Sequence, residues 1–294
     1  MTATADSFVH PEFLVSTAWL ADHIDDPDVV VLDGTVHLRP NPPGPYTVVS
    51  GRADYEAGHI PGAQFVDLQA DLSDNSQSFR FRTPTVAQFA ASMGRLGVGS
   101  KTKVVLYSTA NARWATRVWW LLRVFGFDNA AILDGGWKKW TLERRPVATG
   151  AAVPRAAQVF VGQPRAGLMV DQATVAAAIG DRTVCTLNAL LPQQHAGDGP
   201  SPYGRPGRIK GSVNIPAASL FDPVDNTLLA ADVLRARFAD IGALDKRVIV
   251  YCGGGIAASA DALALTMLGH TDVAIYDASL SEWASRADLP METG

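Results

Sequence analysis

Residues 248–259 read VIVYCGGGIAAS, a short β-branched run followed directly by a cysteine and three glycines. An apolar run of this length that ends in a turn is typical of a buried strand in a parallel sheet. The next stretch, 257–268 (AASADALALTML), has the composition of a buried helix. The segment therefore predicts a strand, a tight glycine-rich turn and a helix, which is the repeating unit of α/β folds.

Similar β-branched runs occur along the whole chain, and helical stretches alternate with them. One such helix is predicted at 113–125 (RWATRVWWLLRVF). This alternation predicts an α/β fold in which each sheet is mainly parallel and carries helices on both faces. The predicted strands lie at 29–34, 104–107, 130–133, 248–251 and 273–276.

The two halves of the chain resemble each other in three pairs of segments that occur in the same order. GHIPGAQFVDL begins at Gly58 and GRIKGSVNIPA at Gly207, and KVVLYS ends at Ser108 where RVIVYC ends at Cys252. FGFDNAAILDGGWKKW likewise matches LGHTDVAIYDASLSEW. A repeat this long indicates two duplicated domains rather than a solenoid.

The length of 294 residues also fits two domains of roughly 150 residues each. Between the halves, a stretch rich in Pro, Ala and Gly lacks helical periodicity, as an extended linker does. We therefore predict an N-terminal domain at 8–147, a linker at 148–168 and a C-terminal domain at 169–294.

Charge and cysteine content exclude several classes of function. The chain has 25 Lys and Arg against 29 Asp and Glu, a formal net charge of −4, so binding to nucleic acid or to an anionic membrane is not expected. The two cysteines, Cys185 and Cys252, stand far apart and outside any metal-binding pattern, so neither a disulfide nor a metal site is predicted. With no signal peptide or long apolar run, a reducing, cytoplasmic location is expected.

Cys252 is the candidate nucleophile because it lies where a strand meets a helix N-terminus. Glycines can take positive φ and turn their N–H groups inward, and these donors, with the helix dipole, favour a thiolate. The candidate loop comprises Gly253, Gly254, Gly255, Ile256, Ala257 and Ala258. The equivalent place in the first half holds Ser108 and a glycine-free loop, which indicates one working site and one silent one.

These motifs resemble those of the rhodanese family, specifically the tandem-domain thiosulfate/3-mercaptopyruvate sulfurtransferases. The resemblance extends over nearly the whole chain, and its most specific elements share one order. They are GHIPGA (58–63), RVWWLLRVFGF (117–127), LDGGWKKW (133–140), GRIKGSVNIP (207–216), YCGGGIAAS (251–259) and YDASLSEW (276–283).

The resemblance implies two rhodanese-like domains, of which the first is catalytically silent and the second carries the catalytic cysteine. Cys252 would accept a sulfane sulfur from thiosulfate or 3-mercaptopyruvate, become a persulfide, and pass the sulfur to a thiophilic acceptor such as cyanide or a thiol, a protein thiol included. The loop N–H groups would stabilise the thiolate and the persulfide. No metal or organic cofactor is implied.

The chain departs from the family pattern where donors are expected to bind. Its loop carries no charge, although thiosulfate enzymes commonly place cations there, and it matches Cys-Gly-Ser/Thr-Gly-Val-Thr of the mercaptopyruvate enzymes only in its first and third glycines. The usual Asp-Ala-Arg appears as Asn188-Ala189-Leu190. Donor binding is therefore assigned first to Arg205 and second to Arg208, and the uncharged loop favours singly charged 3-mercaptopyruvate over dianionic thiosulfate.

Two other functions are weighed against this one. A cysteine-dependent phosphatase needs an arginine six residues after its cysteine, and this chain has Ala258 there. A weakly active persulfide carrier or regulatory binding module is the stronger alternative, because the loop hydroxyls are missing and because Asn188 and Leu190 stand in place of the usual Asp and Arg. Steady-state turnover with a small donor separates an enzyme from a carrier.

Overall fold

The computed structural model describes residues 7–42 and 44–294. Two five-stranded parallel sheets dominate these residues. The first sheet has the order β1-β7-β6-β2-β5, with strands β1 (Leu14–Val15), β2 (Val29–Asp33), β5 (Gln64–Phe65), β6 (Lys103–Tyr107) and β7 (Ala130–Leu133). The second has the order β11-β9-β12-β13-β8, with β8 (Met169–Val170), β9 (Val184–Asn188), β11 (Val213–Asn214), β12 (Arg247–Tyr251) and β13 (Val273–Tyr276).

The helices follow the strands in the same order in both halves. The first half contains α1 (Thr17–His23), α2 (Arg52–Ala57), α3 (Val86–Arg95), α4 (Ala112–Val124) and α5 (Gly136–Leu142). The second half contains α6 (Gln172–Ala178), α7 (Pro192–Ala196), α8 (Ala231–Asp240), α9 (Ala258–Met267) and α10 (Ser279–Trp283). Short 3₁₀ turns lie at Pro11–Phe13 and Ala217–Leu220.

The alternation of side chains along β2 shows that the first sheet is covered on both faces. Val30 and Leu32 pack in a core shared with α4, whereas Val29 and Val31 pack with residues of α1, α2 and α5. The predicted α/β class, the two domains with mainly parallel sheets and the helices are confirmed. The predicted helices 113–125 and 257–268 correspond to α4 and α9, and each observed end lies within one residue of the prediction.

Two small antiparallel pairs, which the sequence analysis does not predict, lie outside the main sheets. Strands β3 (Val36–Asn41) and β4 (Gly44–Ser50) form a hairpin in the first half. Strands β10 (Arg208–Ile209) and β14 (Met291–Glu292) pair near the end of the chain. No helix among the described residues is both long and apolar enough to cross a membrane.

The stretch between α5 and β8 contains no helix or strand among the described residues, and it packs along the first half. Gln158 N donates to Gly94 O at 2.9 Å, and Phe160 packs edge-on against Phe89 at 5.4 Å between ring centroids. Arg165 forms an ion pair with Asp128 at 2.5 Å. We propose the division 8–147, 148–168 and 169–294, with the linker held against the N-terminal unit.

Helices α4 and α9 join the two halves through an apolar core that is continuous between them. A buried hydrogen bond of 2.7 Å links the hydroxyls of Thr116 and Ser259 across this contact. Arg117 of α4 also reaches the second half, where its Nη2 lies 2.8 Å from Asp277 Oδ1. The carboxyl ends of β6 and β12 are thereby held in a fixed relation to each other.

Asp33 and Asn188 occupy equivalent positions at the ends of β2 and β9, but only one of them is ionisable. Asp33 pairs with Tyr107 in the sheet register as Asn188 pairs with Tyr251. Asp33 Oδ1 accepts hydrogen bonds from Thr35, while Oδ2 has no partner among the described residues. Burial raises the pKa of Asp33 to about 6.

We expect Asp33→Asn to remove a pH-dependent loss of stability. Because the folded-state pKa lies above the unfolded value, ionisation of Asp33 destabilises the native protein progressively as pH rises from about 4 to about 6. Chemical denaturation at pH 4 and pH 7.5 should show the variant gaining up to about 3 kcal/mol relative to wild type over this interval. Asp25→Asn, at an exposed site, is the control; equal pH profiles for all three proteins would contradict the assignment.

Candidate active site

Cys252 lies directly after β12 and faces a cleft between the two halves. Its side chain is buried, with 2% of its surface exposed, yet it lines the cleft together with Gly253 and Gly254. The cleft has a volume of about 1170 Å³, and residues of the β3–β4 hairpin form its opposite wall. The site is thus an interface between the halves rather than a pocket of the second half alone.

A single hydroxyl holds the first part of the loop. Ser279 Oγ accepts hydrogen bonds from Cys252 N and Gly255 N, both at 3.1 Å, and donates to Tyr276 O at 2.7 Å. Ser279 is fully buried at the start of α10, and its backbone adopts φ +53°. A left-handed conformation is uncommon for serine, and here it places the hydroxyl beneath the loop.

The loop keeps several N–H groups unpaired. Helix α9 begins at Ala258 without a side-chain cap. Among the residues that the structure describes, no hydrogen-bond acceptor is found for the N–H groups of Gly253, Gly254, Ile256, Ala257 and Ala258. Such a set of free donors at a helix N-terminus is suited to an anion.

The equivalent loop of the first half is closed by its own side chains. Thr109 N donates to Thr35 Oγ1 at 2.8 Å, and Ala110 N donates to Ser108 Oγ at 3.2 Å. Asn111 caps α4 by accepting from Arg113 N at 3.2 Å. The donors that would bind an anion are therefore used internally, which gives a physical reason for a silent first site.

The three glycines differ in why they are needed. Gly255 has φ +75°, and a Cβ there would lie 2.7 Å from Asp277 O. Gly253 and Gly254 do not adopt a positive φ, so of the three glycines that can take this conformation only Gly255 does. A Cβ on Gly253 would meet the ring of Tyr203 at 2.2 Å, whereas one on Gly254 would meet only open space and Arg80 O at 4.0 Å.

Arg205, the first candidate for donor binding, is used to hold the backbone. Its guanidinium donates to the carbonyls of Trp283, Ala284, Arg286 and Leu289, and it does not line the cleft. A guanidinium with four carbonyl partners has few donors left for a ligand. This geometry does not favour the expected role of Arg205 as a substrate clamp.

Arg208 is likewise placed away from the cleft. Its Nη1 donates to Gly294 O at 2.5 Å, and its Nε lies 3.8 Å from the carboxylate of Glu292. This position does not favour Arg208 as the second clamp either. Asn188 is buried and accepts from Leu190 N at 3.0 Å, and Leu190 itself lines the cleft as an apolar side chain.

The cleft nevertheless carries positive charge, contrary to the expectation drawn from the uncharged loop. Arg39, Arg80 and Arg113 line it, and all three belong to the first half. The acidic residue lining it is Asp54, which is paired with His37. The argument that a dianionic donor would meet no nearby cation is therefore wrong.

The second cysteine has a different environment. Cys185 lies within β9, is 5% exposed and does not line the cleft. Burial raises the pKa of the Cys185 thiol, which favours the unreactive protonated form. Both cysteines are free, and the described residues contain no group of three or more His, Cys, Asp and Glu side chains that could hold a metal ion.

The family model described as the rhodanese-like domain matches residues 16–143 and 195–286 of this sequence, which together include most of both halves. The chain belongs to the rhodanese family. The thiosulfate/3-mercaptopyruvate sulfurtransferase 1, mitochondrial, of Arabidopsis thaliana is 35% identical over 96% of this chain and 78% of the plant protein. The 3-mercaptopyruvate sulfurtransferase of Escherichia coli K12 is 34% identical over 95% of this chain and 98% of that protein.

A solved structure supports the same assignment of fold. The crystal structure of SseA from Escherichia coli, described as a 3-mercaptopyruvate sulfotransferase with the rhodanese fold, superposes with a TM-score of 0.79. It is 31% identical to this chain, and the match covers 91% of this chain and 98% of SseA.

Sequence reasoning missed the residues that hold the rhodanese loop from outside. Ser279 lies in the YDASLSEW segment, which is both a repeat and a family motif but does not by itself indicate a bond from this serine to the loop. Arg117 lies in RVWWLLRVFGF, where an arginine within an apolar helix was the available signal. Its Nη1 donates to Gly255 O at 3.4 Å, so α4 of the first half supports the loop of the second.

We expect Gly255→Ala to reduce sulfur transfer by more than about tenfold, because a methyl group at positive φ would collide with Asp277 O and distort the loop. Gly254→Ala is the matched control, since its methyl group would enter open space. Initial rates and thermal melting should be measured for both variants. A folded Gly255→Ala protein with the wild-type rate would show that loop geometry does not govern the reaction.

Arg205→Met should destabilise the protein while leaving donor affinity unchanged. The substitution removes the donor to four carbonyls, one at the last residue of α10 and three in the segment after it, and we expect a cost of about 2–4 kcal/mol in the free energy of unfolding. Urea denaturation measures this cost, and KM for the donor is measured on the folded variant. A raised KM without loss of stability would restore Arg205 as a binding residue.

Proposed function

We propose that Cys252 is the sulfur-carrying nucleophile of this rhodanese-family sulfurtransferase. The observation that carries the proposal is the position of Cys252 at the start of a loop in which five N–H groups, those of Gly253, Gly254, Ile256, Ala257 and Ala258, have no acceptor among the described residues. The sulfurtransferase activity is that of the relatives at about 34% identity over nearly the whole chain. The donors named for those relatives, thiosulfate and 3-mercaptopyruvate, are the substrates we infer here.

In the first half-reaction, the Cys252 thiolate attacks the sulfur that is transferred, which is the sulfane sulfur of thiosulfate or the thiol sulfur of 3-mercaptopyruvate. With thiosulfate, the sulfur–sulfur bond breaks and sulfite leaves with the electron pair. With 3-mercaptopyruvate, the carbon–sulfur bond breaks, and the thiol proton is transferred to carbon so that pyruvate leaves. Either route gives the Cys252 persulfide, and the unpaired loop N–H groups stabilise its terminal anionic sulfur as an oxyanion hole stabilises oxygen.

In the second half-reaction, a thiophilic acceptor attacks the terminal sulfur of the persulfide. Cyanide gives thiocyanate, and a thiolate gives a new persulfide; in both cases the Cys252 thiolate is regenerated. Splitting the transfer into two displacements requires no redox partner or cofactor. We infer a reducing compartment such as the cytoplasm, because the free Cys252 thiol must be maintained between turnovers.

We expect Cys252→Ser to abolish sulfur transfer and Cys185→Ser to leave it nearly intact, because Cys185 lies within a strand and away from the cleft. Thiocyanate formation from each donor and cyanide measures turnover. Intact-protein mass spectrometry after donor treatment should show a gain of one sulfur atom in wild type and Cys185→Ser only.

Two results would contradict this assignment. Turnover retained by a folded Cys252→Ser protein would exclude Cys252 as the nucleophile. A wild-type protein that gains one sulfur atom but releases no thiocyanate over many equivalents of cyanide would be a persulfide carrier rather than an enzyme.

A further inference from the structure

The cations that line the Cys252 cleft come from the half that has no nucleophile. Within the described residues, the part of the cleft wall contributed by the second half contains no lysine or arginine. The two arginines of the second half that were expected to bind the donor, Arg205 and Arg208, donate to backbone carbonyls outside the cleft. An anionic sulfur donor that reaches Cys252 must therefore be neutralised from across the interface.

Arg113 is the cleft arginine with the most defined position. It lies in the first turn of α4 and is partly buried, whereas Arg39 and Arg80 are exposed. Its Nε donates to Asn111 Oδ1 at 3.0 Å, the same oxygen that caps the helix. No acceptor among the described residues bonds to its terminal nitrogens, so the outer edge of the guanidinium is available to a ligand.

Contacts of Arg113 place it beside the catalytic loop. Its carbonyl oxygen accepts from Ser259 Oγ, in the first turn of α9, at 3.4 Å. Burial raises the pKa of Tyr203, and the charge of Arg113 opposes this rise. The ring of Tyr203 lies against Gly253. Arg113 and Cys252 thus line the same cleft.

The nearby acid does not neutralise this charge. Asp261 of α9 is fully buried, and neither of its carboxyl oxygens has a hydrogen-bond partner among the described residues. Burial raises the pKa of Asp261 well above its usual range, although the charge of Arg113 opposes this effect. This shift favours the neutral acid form of Asp261, so the carboxyl does not pair with Arg113 and the guanidinium charge stays available to a ligand.

We propose that Arg113 binds the anionic group of the sulfur donor, so that the silent half supplies donor recognition. The planar guanidinium offers two parallel N–H bonds to the carboxylate of 3-mercaptopyruvate or to the sulfonate-like end of thiosulfate. Small anionic donors of both kinds fit this arrangement, which rests on the proposed role of Cys252. The donor site is then complete only when α4 and α9 are packed together.

Steady-state kinetics of Arg113→Met tests the proposal, because methionine removes the charge and retains an unbranched side chain. We expect KM for both donors to rise by about ten- to a hundredfold, with a smaller change in kcat. Arg113→Lys should restore part of the affinity, since it keeps the charge but loses the two-bond geometry. Arg182→Met makes the same change at an exposed site outside the cleft and should leave KM unchanged.

Alkylation of Cys252 gives a second readout that a merely structural role would not change. Iodoacetate is anionic and iodoacetamide is neutral, and both react at the same kind of carbon. In Arg113→Met, the ratio of the iodoacetate rate to the iodoacetamide rate at Cys252 should fall at least about fivefold relative to wild type, and less so at high salt. Peptide mass spectrometry assigns the modified cysteine.

The two readouts together decide the proposal. A raised KM with an unchanged alkylation ratio would overturn the proposal, because the effect on KM would then be structural. An unchanged KM would overturn it as well. The alkylation ratio does not depend on sulfur transfer. Failure of wild-type Cys252 to form a persulfide would therefore refute the proposed function while the ratio still tested the position of the Arg113 charge.

Discussion

The buried ion pair between Arg117 and Asp277 is the constraint on which the site depends. Arg117 comes from α4 of the first half, and its side chain is 1% exposed. Besides Asp277, its guanidinium donates to Phe81 O at 2.6 Å and to Gly255 O at 3.4 Å. Removing one partner of such a pair leaves an uncompensated buried charge, which typically costs about 3–5 kcal/mol. The relative position of the two halves and the shape of the Cys252 loop are thus stabilised by the same residues.

Duplication explains why two similar units have such different chemistry. Both strands that precede the loops end in tyrosine, and Tyr107 and Tyr251 accept backbone bonds from Ile60 and Ile209 at 3.2 and 3.1 Å. The loops that follow differ in their donors: the first is closed by threonine, serine and asparagine side chains, and the second is left open by glycine and alanine. The second loop has no polar side chains that would bond to its backbone donors. These donors remain free, which makes the loop suited to an anion.

The two halves also divide the work of the site. The second half provides the proposed nucleophile and the backbone donors, and its own cleft wall is apolar or neutral, with Leu190 and Tyr203 lining the cleft. The first half provides the hairpin wall, the arginines and the support of the loop through α4. The first half therefore contributes structure and charge to the cleft that contains Cys252.

The sequence by itself determined the elements and the position of Cys252. Strand β12 and helix α9 follow from local apolar patterning, and the duplication follows from segments that can be compared directly. The sequence did not determine the charge of the cleft, since Arg113 and Cys252 are separated by 139 positions and meet only when α4 packs on α9. Arg205 looked free in the sequence because its carbonyl partners lie about 80 residues away. Likewise, which of the three glycines needs positive φ depended on Asp277 and Ser279, so only the tertiary structure could decide it.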